Sequence, residues 1–388
     1  MRIKLKDAFE LQIGKTPSRN KSEYWNGVYK WVSISDIGNS RKYVYSTREL
    51  ITDKGIIDSG IKVIPKGTVI MSFKLSIGKT AITTEDMYTN EAIVAFIDKK
   101  KIPIDIDYLY YLCSGSNWMQ GVNKAVMGLT LNKATLLEKE INIPNIKIQK
   151  KCAGNLDKID RIIDLKKQQL DQLDLLTRSL FIEMFGNPMS NPKEWKKKKC
   201  KNILTKIGSG ATPQGGSESY KEEGISLIRS MNVHNGRFES KDLAYIDEKQ
   251  AQKLDNVNIK ENDVLINITG ASVARCCIVP SDVIPARVNQ HVSVLRCSDM
   301  VNSIFLCYQI INDSYQNLLK KIGTSGGATR EAITKKQIED LEVILPPLEL
   351  QNKFANFVRG TDKSKLAVKK SLEELEILKK SLMQKYFA

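Results

Sequence analysis

Residues 131–186 read LNKATLLEKEINIPNIKIQKKCAGNLDKIDRIIDLKKQQLDQLDLLTRSLFIEMFG, and residues 333–388 read ITKKQIEDLEVILPPLELQNKFANFVRGTDKSKLAVKKSLEELEILKKSLMQKYFA. The two stretches align without a gap at a constant offset of 202 residues (333 − 131 = 202). Identical residues recur along the alignment, at Lys133/Lys335, Glu140/Glu342, Pro144/Pro346, Gln149/Gln351, Lys151/Lys353, Ala153/Ala355, Asp160/Asp362, Lys167/Lys369, Leu170/Leu372, Leu173/Leu375, Leu176/Leu378, Ser179/Ser381, Leu180/Leu382 and Phe185/Phe387. A duplication of this length predicts two similar halves and an internal pseudo-two-fold axis.

A long helix is predicted in each copy, over about Gln149 to Phe185 and about Gln351 to Phe387. Apolar residues recur there by threes and fours, at Leu156, Ile159, Ile163, Leu170, Leu173 and Leu180, and at Val358, Leu366, Leu372, Leu375, Leu378 and Leu382. This spacing predicts amphipathic rods of roughly 50 Å at 1.5 Å per residue. Because exposed seams of that length promote aggregation, we expect the rods to pack antiparallel as a coiled coil.

A mixed α/β globule is predicted in front of each rod. Short strand patterns occur at Tyr29–Ile34, Thr68–Phe73, Lys79–Ile82 and Ala92–Ile97, and again at Val264–Thr269 and Ala274–Val279. A short helix capped by Asn132 or Thr135 precedes the first rod, and a Thr334–Gln337 capping box opens its counterpart. The predicted fold class is therefore α+β, with two globules and two long helices. We interpret the run Lys196–Lys199 as a solvated linker, with phosphate contact as the alternative.

The composition favours a polyanionic partner. The chain has 388 residues and a formal net charge of +16, from 60 Lys and Arg against 44 Asp and Glu. An excess of that size indicates nucleic acid before membrane. The alternative is a coding bias that enriches lysine. A pseudo-symmetric basic protein suits the two-fold backbone geometry of duplex DNA.

Secretion, membrane insertion and zinc-dependent folding are not indicated. The start, Met1–Lys6, lacks the apolar segment of a signal peptide, and no apolar run reaches membrane-spanning length. The chain has seven cysteines without a C-x-x-C pair, and only two histidines, His234 and His291. This pattern favours free thiols in a reducing cytoplasm and predicts no metal site. Cys276 and Cys277 adjoin on a predicted strand, so they should fill the core on opposite faces.

No catalytic constellation is apparent. An amino-methyltransferase needs an Asn/Asp-Pro-Pro-Tyr/Phe string, and both Asn187-Pro188 and Asn191-Pro192 break off after the first proline. The Gly-Lys-Thr strings at residues 14–16 and 78–80 have Phe9 and Phe73 where a phosphate loop requires its first glycine. The residues therefore point to a binding protein rather than an enzyme.

The order globule, helix, globule, helix resembles the specificity subunit of type I restriction–modification systems. Several strings are similar to that family, namely Gly14–Ser18, Phe185–Pro188 leading to Asn191–Trp195, Gly208–Pro213, and Ile333–Leu341 leading to Leu345–Gln351. The similarity covers essentially the whole chain. The first rod departs from it, since Pro144–Gln149 is a looser version of the Pro-Pro-Leu-x-x-Gln pattern.

The resemblance implies a division of the chain and a set of partners. It implies target-recognition domains at 1–146 and 201–348, long helices at 147–186 and 349–388, and a linker at 187–200. Each domain would read a short DNA word, and the helices would fix the gap and dock two methyltransferase subunits. S-adenosylmethionine, ATP and magnesium would belong to the methyltransferase and restriction subunits, and this chain would carry no catalytic site or cofactor.

The expected DNA contacts are polar or basic residues in loops that recur in both halves. Lys and Arg suit phosphates, and in the major groove Arg suits guanine while Asn and Gln suit adenine. The candidates are Thr16, Ser18, Arg19, Lys74, Ser76, Lys79, Asn90 and Lys124 in the first half, and Thr212, Gln214, Arg229, Asn232, Thr269, Ser272, Arg275, Asn289, Gln290 and Arg330 in the second. For each, the alternative is a turn-forming or merely solvated residue. Tyr24, Trp25 and Trp31 are further candidates, with core packing favoured for Trp31.

Two other functions stay open on the sequence, besides a nuclease or a self-sufficient methyltransferase with a disguised site, which the missing motifs disfavour. One is a pseudo-dimeric scaffold that binds proteins through its rods and globules. The other is the specificity component of a different bipartite restriction system, which would share the fold and differ in its partner.

Overall fold

The chain divides into two compact units, each with parts of both long helices. The computed structural model describes residues 1–74, 76–119, 131–324 and 331–387. The first unit comprises Met1–Lys167 with Lys370–Ala388, and the second comprises Gln168–Lys369. Each compact unit therefore combines one globule with a segment of both long helices.

The first unit is built on two mixed sheets. A five-stranded sheet has the order Phe9–Ile13, Ile93–Asp98, Val69–Ser72, Thr80–Thr83, Tyr43–Val44, and a three-stranded sheet has the order Glu49–Ile51, Trp25–Val32, Tyr88–Thr89. Arg2–Lys4 pairs separately with Glu140–Asn142. The helices are Leu5–Ala8, Ile34–Asn39, Asp53–Ser59, Ile106–Gly115, Lys133–Leu137 and the start of Ile146–Phe185, with one 3₁₀ turn at Ser22–Tyr24.

The second unit repeats this plan. A four-stranded sheet has the order Leu204–Ser209, Val292–Cys297, Val264–Asn267, Cys276–Ile278, and a three-stranded sheet has the order Ala244–Ile246, Ile225–Ile228, Ala286–Val288. Two smaller pairs join Lys197–Lys199 to Glu342–Ile344, and Val233–His234 to Arg237–Phe238. The helices are Glu248–Gln252, Ser303–Ile310, Asp313–Thr324, Lys335–Asp340 and the start of Leu348–Phe387, with 3₁₀ turns at Cys200–Asn202, Gly216–Ser219, Ser230–Asn232, Asp255–Val257, Gly270–Ser272 and Ser281–Val283.

The duplicated stretches have the same secondary structure at the same offset. The long helices span Ile146–Phe185 and Leu348–Phe387, so both ends of one map onto the other at 202 residues. The strands Glu140–Asn142 and Glu342–Ile344 keep that offset as well. Asn132 and Thr334 cap the preceding short helices by accepting from the backbone N–H of Thr135 and Gln337, which confirms both caps.

Within each unit, the two long-helix segments run antiparallel. In the first unit Lys379 Nζ lies 2.5 Å from Asp160 Oδ1, and Asn155 Nδ2 donates to Tyr386 Oη at 3.2 Å. In the second unit Lys365 Nζ lies 2.5 Å from Asp174 Oδ1. The antiparallel packing expected from the leucine seams is confirmed within each unit, but two predicted seam residues, Leu366 and Leu378, are 70% and 48% exposed and lie outside the packed face.

Aromatic residues join the ends of the long helices to the globules. In the second unit the Phe185 ring packs against Phe305 and Phe354 at centroid distances of 4.8 and 5.6 Å. In the first unit Phe387, the counterpart of Phe185, packs against Tyr108 at 5.2 Å. The ends of the rods are therefore packed into the globule cores.

The run Lys197–Lys199 is a strand and not a connector. It pairs antiparallel with Glu342–Ile344, as Arg2–Lys4 does with Glu140–Asn142 in the first unit. Lys199 Nζ lies 3.0 Å from Asp340 Oδ1 and Lys197 Nζ lies 3.9 Å from Glu342 Oε2, so two of the three charges have internal partners. Consecutive like charges resemble a solvated linker in sequence, and the acidic neighbours that offset them are brought there only by the fold.

Buried thiols fill the cores. Cys276 lies in the core beneath the long helices and Cys277 in the core between the two sheets of the second unit, which confirms their opposite orientations. Burial raises the pKa of the Cys200 and Cys297 thiols to about 12. Among the residues that the structure describes, no helix combines the length and the apolar character that crossing a membrane requires.

Candidate nucleic-acid interface

Two equivalent hairpins present a basic residue at the same position. In the first, Ser72 N donates to Lys79 O at 2.8 Å and Gly78 N to Ser72 O at 2.9 Å. In the second, Asn267 N donates to Arg275 O at 2.8 Å and Ala274 N to Asn267 O at 2.8 Å. Lys79 and Arg275 therefore correspond to each other, as do the residues before them.

The residue before each basic side chain is held in the left-handed region. Gly78 has a φ of +89° and Ala274 a φ of +70°. A non-glycine residue in that region stores about 1–2 kcal/mol of strain, so the hairpin around Ala274 is stabilised by its surroundings.

Two further loops meet each hairpin through backbone hydrogen bonds. In the first globule Lys15 N donates to Thr89 O at 2.9 Å, and Phe73 N to Ala92 O at 3.0 Å. In the second globule Gly210 N donates to Asn289 O at 3.2 Å. There Ile268 N also donates to His291 O, at 2.9 Å. The structure thus brings the three recurrent loops of each half together.

The approach of these loops requires glycine. A Cβ built on Gly14 would lie 2.0 Å from Thr89 O, and one on Gly210 would lie 1.7 Å from Val288 O. Contacts below 3.0 Å with backbone cannot be relieved by a side-chain movement. The glycines of the Gly-Lys-Thr-Pro and Gly-Ala-Thr-Pro strings are therefore required for the close packing of these loops.

In the first globule, Thr16, Arg19 and Lys74 surround a carboxylate. The Thr16 hydroxyl donates to Glu91. Burial raises the pKa of the Glu91 carboxyl, but the hydrogen bond from Thr16 and the charges of Lys74 and Arg19 outweigh it, so the pKa lies below its ordinary value. Glu91 was not predicted from the sequence, although its position next to Asn90 pointed to the right loop.

Arg19 is held by internal partners. Its guanidinium forms a bidentate pair with Glu49 and lies 3.9 Å from the centroid of the Trp25 ring. Trp31 is only 2% exposed and donates from Nε1 to Lys15 O at 3.0 Å, which confirms core packing. Tyr24 is also buried and donates to Asp58 at 2.7 Å, so the aromatic candidates support the loop from beneath.

The other candidates of the first globule differ in exposure. Ser18, Ser76 and Lys79 are exposed, while Asn90 is half-buried and its Oδ1 accepts from Ala92 N at 3.1 Å. Lys124 lies outside the described residues. The exposed members of this set are free to meet a ligand, whereas Asn90 is engaged in shaping its own turn.

In the second globule, four polar side chains form a chain of hydrogen bonds. Thr212 Oγ1 contacts Gln290 Oε1, and Gln290 Nε2 lies 3.0 Å from His291 Nε2. His291 Nδ1 lies 2.6 Å from Thr269 Oγ1. Three predicted residues, Thr212, Gln290 and Thr269, are thereby linked through one that was not predicted.

Thr269 and His291 border a groove of about 460 Å³, which we call the Arg275 groove. Its polar lining comprises Ser230, Thr269, Ser272, Arg275, His291 and Glu331. Backbone bonds from Gly270 N to Glu331 O at 2.8 Å and from Ile268 N to His291 O hold its walls together. Arg275 is half-buried, and its guanidinium has no hydrogen-bond or ion-pair partner among the described residues.

Two predicted contacts of the second globule are buried. Asn232 is fully buried and its amide donates to Glu239 O at 2.9 Å and accepts from Arg229 N at 3.0 Å. Asn289 is 4% exposed and accepts from His291 N at 3.0 Å. Because both amides stabilise turns of the chain, we omit them from the proposed interface.

The remaining candidates are divided between packing and exposure. The Arg229 guanidinium donates to Asp242 O and lies 5.4 Å from the Tyr220 ring centroid, which ties it to its own globule. Gln214 is exposed. Arg330 lies outside the described residues. The described part of the chain shows no cluster of three or more His, Cys, Asp or Glu that could hold a metal ion.

The comparisons with known proteins agree with this architecture. A family model described as type I restriction modification DNA specificity domain matches residues 1–175 and 192–377. The chain is 28% identical to the MjaIX specificity subunit of Methanocaldococcus jannaschii, over 98% of this chain and 91% of the relative. It is 22% identical to the MjaVIII specificity subunit of the same organism, over 98% and 90%.

Solved structures share the fold. A crystal structure of a type I S subunit from M. genitalium is 15% identical and covers all of this chain and 96% of its own, with a TM-score of 0.57. A chain solved in a study of type I complex assembly is 18% identical and covers 100% and 97%, with a TM-score of 0.65. The family model matches most of the chain, and the chain therefore belongs to the family of type I restriction–modification DNA specificity subunits.

Proposed function

We propose that this subunit reads a bipartite DNA target, made of two short words separated by a fixed gap. The observation that carries the proposal is the recurrence, once in each unit, of three joined loops with a hairpin that ends in Lys79 or Arg275. Two similar reading surfaces on one chain suit two words. Their side chains differ, as the words would.

Binding strength would come from phosphate contacts and selectivity from base contacts. The phosphate contacts would be made by Lys and Arg near the loops, which contribute to the formal charge of +16. The exposed or unpaired members of the loops, such as Ser76, Lys79 and Arg275, would make the base contacts. Arg19 is held by Glu49 and Trp25, and we assign it a supporting role.

The long helices would set the gap between the words. Each is 40 residues long and contributes a segment to both units. Ion pairs such as Lys379–Asp160 and Lys365–Asp174 fix the register of the segments within their own units. A fixed gap requires a fixed register between the helix segments, because a slip of one helical turn displaces the helix by about 5.4 Å.

The helices would also dock the partner subunits. Leu176 and Leu378 are equivalent in the repeat and are 50% and 48% exposed, and Leu175 and Ile377 are 65% and 69% exposed. Apolar side chains that are exposed at equivalent positions of both copies suit two identical partners. We propose methyltransferase subunits there, which would bring S-adenosylmethionine and methylate adenine, with restriction subunits bringing ATP and magnesium. This chain would then have no catalytic role.

Salt-dependent binding to duplex DNA tests the proposal against the protein-scaffold alternative. The complex with its methyltransferase subunit should bind a target duplex with an affinity that falls steeply as salt rises, since phosphate contacts release counterions. A protein-binding scaffold would bind duplex DNA weakly, and its affinity for a target duplex would equal its affinity for a non-target duplex. The matched control is the same complex with a scrambled duplex of identical length.

A further inference from the structure

We propose that the Arg275 groove reads a G·C base pair in the second word, with Arg275 on guanine and Glu331 on cytosine. This inference rests on the proposed function. Arg275 and Glu331 line the same groove, yet they form no ion pair within 4.0 Å. Because these two opposite charges do not pair with each other, both are available to a ligand that carries a hydrogen-bond acceptor and a hydrogen-bond donor.

The major-groove edge of a G·C pair offers that combination. Guanine presents N7 and O6 as acceptors, which a guanidinium contacts with two parallel hydrogen bonds, and cytosine presents its N4 amino group to a carboxylate. Phosphate alone would explain Arg275 but not the presence of Glu331 in the same groove, since like charges repel. A base pair is therefore favoured over a backbone contact.

The hydrogen-bond chain behind the groove leaves Thr269 with a free hydroxyl proton to donate. An amide nitrogen only donates, so Gln290 Nε2 donates to His291 Nε2, which must then carry no proton. The neutral imidazole carries its proton on Nδ1, and it donates that proton to Thr269 Oγ1 at 2.6 Å. With one lone pair engaged, the Thr269 hydroxyl keeps its own proton for a ligand in the groove that Thr269 lines. Its partner is an acceptor such as guanine O6 or thymine O4.

Backbone geometry holds Arg275 in place before any ligand arrives. The left-handed Ala274 is fully buried, and its N–H donates to Asn267 O. Arg275 N donates to Ser272 O at 3.2 Å and Arg275 O accepts from Asn267 N. A preorganised hairpin limits the ordering cost of binding to the Arg275 side chain.

The first test maps the methylated motif of Arg275 variants in complex with the methyltransferase subunit. Arg275→Ala should lose guanine preference at one position of the second word by roughly ten- to hundred-fold, while the first word stays unchanged. The intact first word shows that the subunit is folded. Arg275→Lys should keep more affinity than Arg275→Ala but lose the same preference, because an ammonium cannot make the bidentate contact.

The second test replaces that guanine with 7-deazaguanine in a synthetic duplex. Wild-type binding should weaken, and Arg275→Ala should be insensitive to the replacement, since it has no contact with N7 to lose. Equal sensitivity of both proteins, or an unchanged motif in Arg275→Ala, would overturn the assignment. A wild-type complex that yields no split motif at all would overturn the proposed function and this inference with it.

A third variant tests the hydrogen-bond chain. In Gln290→Glu the carboxylate only accepts, so in a binding assay at an alkaline pH that keeps the imidazole neutral, His291 must donate from Nε2 and Thr269 must donate to Nδ1. Thr269 then offers only lone pairs, and the preference at its position should change from an acceptor base to adenine or cytosine. Gln252→Glu, the same charge change on an exposed residue of the helix Glu248–Gln252 and outside the candidate loops, should leave every preferred base unchanged. A change of base in both variants, or in neither, would refute the relay.

Discussion

Gln149 and Gln351 make the same three hydrogen bonds at the start of the two long helices. Gln149 Nε2 donates to Pro103 O and Pro144 O at 3.0 and 2.8 Å, and its Oε1 accepts from Asp105 N at 2.8 Å. Gln351 Nε2 donates to Met300 O and Pro346 O at 3.4 and 2.8 Å, and its Oε1 accepts from Asn302 N at 2.8 Å. Both side chains are fully buried, so each ties the start of a rod to its globule.

Truncation of either glutamine should destabilise its unit. Gln149→Ala or Gln351→Ala leaves buried backbone groups without partners, at about 1–3 kcal/mol for each group that water cannot reach. We expect a loss of about 3 kcal/mol in the free energy of unfolding, measured by urea denaturation. The control is Lys150→Ala, which changes an exposed neighbour on the same helix. Equal effects of the buried and exposed substitutions would contradict this account of the helix start.

The two equivalent left-handed residues should respond unequally to substitution. Gly78→Ala adds a Cβ that meets only Trp118 Cδ1 at 3.9 Å, so its cost is the backbone strain of about 1–2 kcal/mol. Ala274→Gly relieves similar strain but removes a buried methyl group worth about 0.8 kcal/mol, and its net effect should stay below about 1 kcal/mol. Thermal denaturation of both variants measures the difference. A larger loss for Ala274→Gly would show that packing outweighs strain there.

Alkaline pH should weaken the first unit. Burial raises the pKa of the Tyr110 hydroxyl to about 12, with Asp160 and Asp157 adding to the effect. The unfolded chain ionises its tyrosines first, near pH 10, so this contribution is complete below pH 10 and is lost as the pH rises towards 12. The loss should amount to about 2 kcal/mol.

A tyrosine-to-phenylalanine pair isolates that contribution. Tyr110→Phe should reduce the slope of unfolding free energy against pH between 10 and 12. Tyr45→Phe, at a side chain that is 70% exposed, should leave the slope unchanged. Parallel slopes for wild type and Tyr110→Phe would rule out the buried hydroxyl as the source of alkaline sensitivity.

The proposed docking surfaces can be blocked without disturbing either core. Leu176→Lys with Leu378→Lys places two charges on half-exposed positions, and we expect at least tenfold weaker association with the methyltransferase subunit, measured by calorimetry. The melting temperature should change little. Gln172→Lys, on an exposed turn of the same helix, is the matched control and should bind normally. Unimpaired binding by the double variant would place the partner elsewhere.

Much of the architecture could be predicted from the sequence because the same pattern occurs in both copies of the repeat. The helix from Ile146 to Phe185 begins within three residues of the predicted start at Gln149 and ends at the predicted residue. Periodic apolar residues and the Thr334 cap involve residues that are close together in the chain, so they can be recognised in a single sequence. The strand Lys197–Lys199 was missed because its pairing partners lie more than 140 residues away.

The site was predictable only as a set of loops. The three loops of each half recur in sequence, but an asparagine in a loop looks the same whether its amide faces solvent or caps a turn, as Asn232 does. His291 and Glu331 were missed because they are joined by a side-chain and a backbone hydrogen bond, respectively, to Thr269 and Gly270, which are distant in sequence. Burial and side-chain direction are tertiary properties, and they decide which loop residues are free to read DNA.

The two long helices can be shortened together at equivalent positions of the repeat. Deleting residues 165–171 and 367–373 removes seven residues, about two turns, from equivalent positions of both helices. The helices shorten by about 10 Å, so the gap between the words should shrink by about three base pairs while both words persist. If the complex still methylates DNA and the gap in its motif is unchanged, the long helices do not set the gap.

The most direct measurement is genome-wide mapping of N6-methyladenine in cells that express this subunit with its methyltransferase subunit. The account predicts a split motif, with two short words at a fixed gap, that is absent when this subunit is omitted. A contiguous motif, or no new methylation despite a complex that purifies intact, would contradict the claim that the chain reads two words through two equivalent sets of loops.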